Sequence, residues 1–306
     1  MIPFEVLIDD LFDDVCPGSG LTPIENKNVL SMLNDFEDQS WRYKRFHNFI
    51  WDNIAETALS AKERANLSAK RLTALTEAAK NLRLIDGKTS ATEGSELAEI
   101  VLYGIMRGHY GALPVVPKIF YKQNANDFAK GSDSVHIVRE GDSDFSIWFG
   151  EAKFYNEIQD ARLDAVVTSV ENSLALEKLK KENGIITGVS DLNNLGLPAQ
   201  LVENIEQVLN SDTSIDAIKP KLHVPILLLH ECSITAAHKQ MSAAYRDEIS
   251  TFHKDRATAY FRKQIKKLGT KVHLYSEITF HILLLPVPSK QKVTSRFLAF
   301  AKELRG

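Results

Sequence analysis

An acidic and a basic residue lie two positions apart at the end of one predicted strand. In DSDFSIWFGEAKFYNE, residues 142–157, the apolar residues Phe145, Ile147 and Phe149 occupy alternate positions, which is typical of a strand with one buried face. Continuing this alternation places Glu151 and Lys153 on the same face. The strand therefore ends its apolar face with a carboxylate and an ammonium group, which are candidates for chemistry.

A second carboxylate is predicted to reach the same place. The preceding segment GSDSVHIVRE also has strand character, and the turn EGDSD joins it to the next strand as a hairpin. Asp133 shares a face of this strand with Val135 and Ile137. If the two apolar faces coincide, Asp133, Glu151 and Lys153 converge near one end of a sheet. The alternative is that GSD is ordinary turn chemistry and that Asp133 caps a loop.

A third carboxylate lies in the helix before these strands. Glu99 is the one charged residue in LAEIVLYGIM, a helical segment that is apolar nearly all the way round and is therefore expected to be buried. A buried carboxylate needs a cation or a strong donor. Glu93 and Glu96 lie nearer the start of the helix, where acidic residues are favourable. We therefore prefer Glu99 and keep Glu96 as the reserve.

Carboxylates that converge on one point repel each other, and a divalent cation relieves that repulsion. Their hard oxygen ligands suit Mg²⁺ or Mn²⁺, and Mg²⁺ commonly takes one or two carboxylates and keeps several waters. A lysine beside the cation can orient or deprotonate an attacking water and offset charge on a phosphoryl oxygen. The constellation thus predicts hydrolysis of a phosphodiester. The Glu-x-Lys pair alone is equally explained by a salt bridge at a strand end.

The elements that must position these groups indicate an α/β fold. After residue 95, strand-like and helical segments alternate, including helices predicted over 158–182 and 236–268. Two of the strands, HVPILLLHE and ITFHILLLPVP, are apolar without alternation, as strands covered on both faces are. Residues 1–23 look irregular and residues 26–84 look helical. We therefore predict a helical N-terminal region, residues 1–90, and an α/β domain, residues 91–306.

Bulk charge gives no sign of a nucleic-acid partner, because the net charge of the 306 residues is −3. Binding to DNA must then come from local patches of cations. Two segments are candidates for such patches: RYKRF, residues 42–46, and the C-terminal end of the helix predicted over 236–268. A solvated face explains the cations of the helix equally well, and the rim of a core explains those of RYKRF. Their candidate residues are Arg42, Lys44, Arg45, Arg262, Lys263, Lys266 and Lys267.

Cysteine usage and hydropathy indicate a cytoplasmic protein. Cys16 and Cys232 lie far apart in the sequence and are expected to be free thiols in a reducing compartment. No apolar run approaches the roughly 20 residues of a membrane-spanning helix. The segment MIPFEVLIDD has no basic region and carries acids early, so we expect no signal peptide.

The order of these groups resembles the PD-(D/E)xK nuclease superfamily, which has a restriction-endonuclease-like fold with a mixed sheet flanked by helices. More closely, ELAEIVLYGIMRGHYGA, KGSDSVHI and WFGEAKFY are similar to the HamA family, the nuclease subunit of the Hachiman anti-phage defence system. This resemblance implies a bacterial DNA nuclease that works with a superfamily-2 helicase, HamB. One departure is Ser132, which stands where a proline often precedes the aspartate.

The resemblance also implies a set of site residues. Asp133, Glu151 and the Ala152 carbonyl would bind the metal ion, with Glu99 as a ligand or an outer partner, and Lys153 would position the water. Two alternative functions remain. A free-standing repair or restriction nuclease is disfavoured by the near-neutral charge, since such an enzyme must find DNA unaided. A non-catalytic adaptor that anchors a helicase on DNA is disfavoured by Glu99, because a site without catalysis does not need a buried acid.

Overall fold

Seven strands form one mixed sheet in the computed structural model, which describes residues 2–83, 95–123, 132–188, 197–210 and 212–306. A separate small hairpin adds two more strands. The nine strands are β1 (Glu5–Leu11), β2 (Lys27–Leu33), β3 (Phe36–Glu37), β4 (Ser40–Trp41), β5 (Leu113–Val116), β6 (Ser134–Arg139), β7 (Phe145–Tyr155), β8 (Leu222–Glu231) and β9 (Thr279–Val287). The sheet order is β1-β2-β9-β8-β7-β6-β5, and β3 pairs with β4.

The centre of the sheet is parallel and both ends are antiparallel. Strands β2, β9, β8 and β7 run parallel to one another, whereas β1 and the pair β6 and β5 run antiparallel to their neighbours. The apolar segments predicted as central strands are β8 and β9, and nearly all of their residues are buried. The predicted α/β class with a mixed sheet is therefore confirmed.

Helices cover the sheet on both faces. Their bounds are α1 (Phe12–Val15), α2 (Tyr43–Ala58), α3 (Ala61–Asn66), α4 (Arg71–Lys80), α5 (Ser95–Gly108), α6 (Lys118–Gln123), α7 (Asp160–Ser173), α8 (Leu176–Gly188), α9 (Ala199–Val208), α10 (Ile215–Ile218), α11 (Ser233–Ala237), α12 (Ala243–Leu268) and α13 (Lys290–Arg305). Short 3₁₀ helices span Lys219–Lys221 and Tyr275–Glu277. We call the face under α7, α8, α9 and α12 the first face, and the face under α2, α5 and α13 the second face. Within the described residues, no helix is both long and apolar enough to cross a membrane.

The N-terminal segment contributes strands, which corrects our reading of it. We expected residues 1–23 to be irregular and a helical pattern from about Asn26, but β1 and β2 form and join the main sheet. In β2 nearly every residue is buried, because the strand lies between β1 and β9 with helices on both faces. Such a strand shows no period of two, so its apolar run is easily read as a helix. The boundary near residue 90 stays a prediction, although strands from both sides of it share one sheet.

Three other segments also differ from expectation. The helix predicted over 158–182 is two helices, α7 and α8, separated at Leu174, and the break lets both helices bury apolar residues in the core of the first face. The helix predicted over 236–268 begins only at Ala243, where the Ser242 hydroxyl accepts the Tyr245 N–H as a helix cap. VVPKIFY, read as a strand, becomes the end of β5 and the start of α6. The two cysteines are free, as predicted.

Candidate active site

The β6–β7 hairpin places Asp133, just before the start of β6, beside the middle of β7. The paired ladder ends where Ser134 lies opposite Gly150, and the Asp133 N–H donates to the Gly150 carbonyl at 2.8 Å. The carboxylate of Asp133 then reaches past the ladder, and its Oδ2 accepts the Ala152 N–H at 3.0 Å. This carboxylate therefore lies within one residue of Glu151 along β7, on the strand that sequence analysis predicted.

Lys153 connects the two carboxylates. Its Nζ lies 3.6 Å from Asp133 Oδ2 and contacts Glu151 Oε1 directly. Glu151 and Lys153 lie in the same alternation as Phe149, which packs in the core of the first face. Asp133, Glu151 and Lys153 thus meet as expected from the sequence, but they do so where β6 begins and beside the middle of β7 rather than at an end of the sheet. Their catalytic role stays a prediction.

Ser169 on α7 is a further member of this cluster that sequence analysis missed. Its hydroxyl donates to Glu151 Oε1, the same oxygen that Lys153 contacts. Within the described residues Glu151 Oε2 takes part in no hydrogen bond, so this oxygen is available to another ligand. The only signal in the sequence is that the buried stripe of α7 (Leu163, Val166 and Val170) turns the helix surface near Ser169 towards the sheet.

Burial and neighbouring charges set the protonation of these groups. Glu151 is only 5% exposed, and burial together with the Asp133 carboxylate raises the pKa of Glu151, while Lys153 and Ser169 oppose that rise. Burial disfavours the charge of Lys153, but the carboxylates of Asp133 and Glu151 outweigh it and raise the pKa of Lys153 above its ordinary value. Lys153 is therefore an ammonium at neutral pH, a donor and a charge rather than a base.

Glu99 lies on α5, on the opposite face of the sheet from Phe149 and α7. Its helix, α5, packs on the second face, where the Tyr103 ring lies 4.7 Å from the His136 ring of β6. Glu99 is one helical turn before Tyr103 and is 5% exposed. Within the described residues, no group of three or more acidic, histidine or cysteine side chains is arranged to hold a metal ion. The structure thus brings Asp133, Glu151 and Lys153 together, and the part of Glu99 in this site stays a prediction.

Glu96, the reserve candidate, has a structural contact. Both of its carboxylate oxygens accept the Arg83 N–H, at 3.1 and 2.9 Å. This contact holds the chain just after α4 against the first turn of α5. The Glu96 carboxylate thus joins two segments of the chain, and the preference for Glu99 over Glu96 stays a prediction.

Gly150, which precedes Glu151, allows α5 to approach the sheet closely. A Cβ atom at this position would lie 2.2 Å from Ser134 Oγ and 2.8 Å from Leu102 Cδ2. Leu102 is three residues after Glu99 on α5. The glycine of GEAK therefore determines how near the helix that carries Glu99 comes to the middle of β7.

The donor atoms of this site fit Mg²⁺ or Mn²⁺. Two carboxylates, from Asp133 and Glu151, already share one cationic group, the Lys153 ammonium. The N–H and C=O of one residue project to the same side of a strand, so the Ala152 carbonyl faces the side on which its N–H meets Asp133. Two carboxylates, one carbonyl and water are a set of oxygen ligands that Mg²⁺ accepts.

The predicted DNA-binding cations of α12 are largely engaged within the chain. Lys263 lies 3.0 Å from Asp164 of α7, and Lys267 lies 3.0 Å from Glu171 of the same helix. Arg262 and Lys266 are exposed. These pairs bind α12 to α7, so Lys263 and Lys267 are less available to a DNA backbone than the sequence suggests.

The cations of RYKRF line a cleft of about 740 Å³ between α2 and α5. Arg42 and Arg45 each lie 3.5 Å from Asp35, while Lys44 is exposed. Arg107 of α5 also lines this cleft, as do acidic residues such as Asp52. The surface is therefore of mixed charge, and its binding to DNA stays a prediction.

Comparison with protein families gives a match over nearly the whole chain. A family model described as HamA matches residues 9–301 of the 306 residues, a range that runs from within β1 to within α13 and includes the cluster around Glu151. No curated protein matches the chain.

Proposed function

This chain belongs to the HamA family, a component of the anti-phage Hachiman system, and from that premise we propose that it is a metal-dependent DNA nuclease. Asp133, Glu151 and the Ala152 carbonyl would hold Mg²⁺ or Mn²⁺, with Glu99 as an outer partner. The observation that carries the proposal is that Asp133 and Glu151 share the Lys153 ammonium.

The residues of the chain have distinct parts in the proposed reaction. When bound, the metal ion would activate a water and stabilise charge on the phosphoryl oxygens. Ser169 donates to Glu151 Oε1 and so restricts the orientation of this carboxylate. Lys153 remains charged and partly exposed, at 26% of its side chain, so it can donate to a water or a phosphate oxygen once the carboxylates bind the metal.

Cleavage of plasmid DNA by the purified chain tests this proposal. Addition of Mg²⁺, with and without a superfamily-2 helicase (HamB) and ATP, should give cleavage that depends on the helicase. The Glu151→Ala, Lys153→Ala double variant should fold and should not cleave. Full cleavage by that variant would refute the assignment of the site. Cleavage by the chain alone would instead support a free-standing repair or restriction nuclease.

One observation favours the adaptor as a second candidate. Lys153 contacts both carboxylates, so the protein itself supplies a cation that offsets part of their charge. A protein that only anchors a helicase on DNA would be stable with such a cluster and would need no metal. Absence of cleavage under every one of these conditions, together with binding of the helicase, would support that candidate. We place the protein's action in the cytoplasm, consistent with its free cysteines.

A further inference from the structure

A buried ion pair on other elements holds the residue that precedes Asp133. Glu182 on α8 and Lys118 at the start of α6 are 1% and 3% exposed. The Lys118 Nζ lies 2.9 and 2.6 Å from the two oxygens of Glu182. Glu182 Oε1 also accepts the backbone N–H of Ser132 at 2.7 Å. The Glu182 carboxylate thus connects the backbone N–H of Ser132 to α6 and α8.

Ser132 occupies the position at which the related nuclease pattern often has a proline. A proline has no N–H, and its ring restricts the backbone dihedral φ. A serine has no such restriction, but its N–H can be anchored. We propose that Glu182 is a positioning residue for Asp133: by accepting the Ser132 N–H, it supplies the backbone restraint that a proline ring would otherwise supply. This inference rests on the proposed function only for the role of Asp133 as a metal ligand.

The restraint passes directly to the candidate site. The Ser132 N–H is fixed by Glu182, and the next N–H along the chain, that of Asp133, is fixed by the Gly150 carbonyl. Two successive peptide groups are thereby held, one by α8 and the other by β7. Asp133 Oδ2 can then reach the Ala152 N–H at 3.0 Å. Loss of the first anchor removes the hydrogen bond that ties the residue before Asp133 to α8 and leaves the one from Asp133 to β7.

The charge on Glu182 explains why this anchor is an ion pair. A hydrogen bond from a backbone N–H to an ionised carboxylate is shorter and stronger than one to a neutral acceptor. A buried carboxylate without a cation would be costly, and Lys118 removes that cost by its contact with both oxygens. The pair therefore provides a strong acceptor for Ser132 without leaving a net charge in the core.

Hydrogen exchange at the Ala152 amide measures the proposed effect away from the substituted residue. Glu182→Gln keeps one acceptor oxygen but cannot serve both Lys118 and Ser132 as a carboxylate does. We expect exchange at Ala152 to become about tenfold faster, the loss of one hydrogen bond. Ser132→Ala is the matched control, because it keeps the N–H and removes only the hydroxyl, and it should leave the exchange rate unchanged.

A second substitution tests whether the effect passes through the Ser132 N–H. In a Ser132→Pro chain this N–H is absent and a ring restricts φ, so Glu182→Gln should add no further increase in exchange at Ala152. An equal increase in both backgrounds would overturn the proposal, as would a folded Glu182→Gln chain with unchanged exchange. If the Glu182→Gln chain does not fold, the double variant Glu182→Gln, Lys118→Met is used in its place. The second substitution removes the buried Lys118 ammonium, which the first leaves without its carboxylate.

Binding of Mn²⁺ to the purified chain, followed by electron paramagnetic resonance, connects this inference to the metal site. Glu182→Gln should weaken Mn²⁺ binding about tenfold through the looser Asp133, and Asp133→Ala should remove the binding. Unchanged Mn²⁺ affinity in Glu182→Gln would show that Glu182 does not position a ligand. If the unsubstituted chain bound no Mn²⁺, the metal-dependent function would fail, while exchange at Ala152 would still decide whether Glu182 positions Asp133.

Discussion

Replacement of Lys153 by methionine removes the ammonium that contacts both Asp133 and Glu151. Breaking a buried ion pair by removing one partner typically costs about 3–5 kcal/mol. The side chains of Lys153 and Asp133 are 26% and 17% exposed, so water screens part of their interaction. We therefore expect the free energy of unfolding to fall by about 2 kcal/mol near neutral pH.

The loss should depend on pH through Glu151. Burial and Asp133 raise the pKa of Glu151, and the variant lacks the Lys153 interactions that oppose this rise. A carboxyl group with a higher pKa in the folded state binds more protons there. The free energy of unfolding therefore falls as pH rises from the pKa of Glu151 in the unfolded chain through its pKa in the folded chain. The variant should approach the stability of the unsubstituted chain at mildly acidic pH and differ most at mildly alkaline pH.

Urea unfolding of the Lys153→Met chain, with and without Mg²⁺, measures these effects. Mg²⁺ should stabilise the variant more than the unsubstituted chain, because it replaces the missing cation without competition from an ammonium. Lys263→Met is the matched control: it removes an ion pair with the more exposed Asp164, and should cost at most about 1 kcal/mol and respond to Mg²⁺ as the unsubstituted chain does. Equal stability of the Lys153→Met chain at both pH values, with no gain from Mg²⁺, would refute the reasoning.

Three further perturbations test other parts of the structure. Burial lowers the pKa of Lys27 to about 7, so stability should rise as pH increases from there towards the ordinary value of 10.5, and Lys27→Met should abolish this rise in urea unfolding. Gly150→Ala brings a Cβ to 2.2 Å from Ser134 Oγ and should lower stability by about 1–3 kcal/mol in thermal unfolding, with partial recovery when Ser134→Ala is added. Ser169→Ala removes a hydrogen bond that lowers the pKa of Glu151, so the midpoint of a pH titration of Mn²⁺ binding should move to higher pH; an unchanged midpoint would separate Ser169 from the site.

The part of the site carried by β6 and β7 was predictable because it depends on local rules. The period of two along a strand places Glu151 and Lys153 on one face, and a hairpin turn fixes which strand lies beside it. Together these rules bring Asp133 beside Glu151 and Lys153, as the 3.6 Å contact with Lys153 shows. No knowledge of distant segments was needed.

The contributions of Ser169 and Glu182 were not predictable from such rules. Both come from helices after β7, and their positions depend on how α7 and α8 pack on the first face. A serine on a helix or a glutamate in KENG has no distinctive pattern. β2 was read as helical for the same reason. Its place in the sheet is set by pairing with β9, more than 240 residues away in the sequence, rather than by its own periodicity.

The charges of the chain bear on why a partner would be needed to deliver DNA. With both carboxylates ionised, Asp133, Glu151 and Lys153 together carry one negative charge, which disfavours the approach of a phosphate. A bound divalent cation would change this local charge to positive. Away from the site, cations such as Lys263 and Lys267 are held in pairs with α7, and the net charge of the chain is −3. Exposed cations such as Lys44, Arg262 and Lys266 remain for contacts with phosphates, and with so few we expect weak DNA binding by the isolated chain and a shallow dependence of that binding on salt. Tight, strongly salt-dependent binding of DNA by the chain alone would argue against delivery by a helicase.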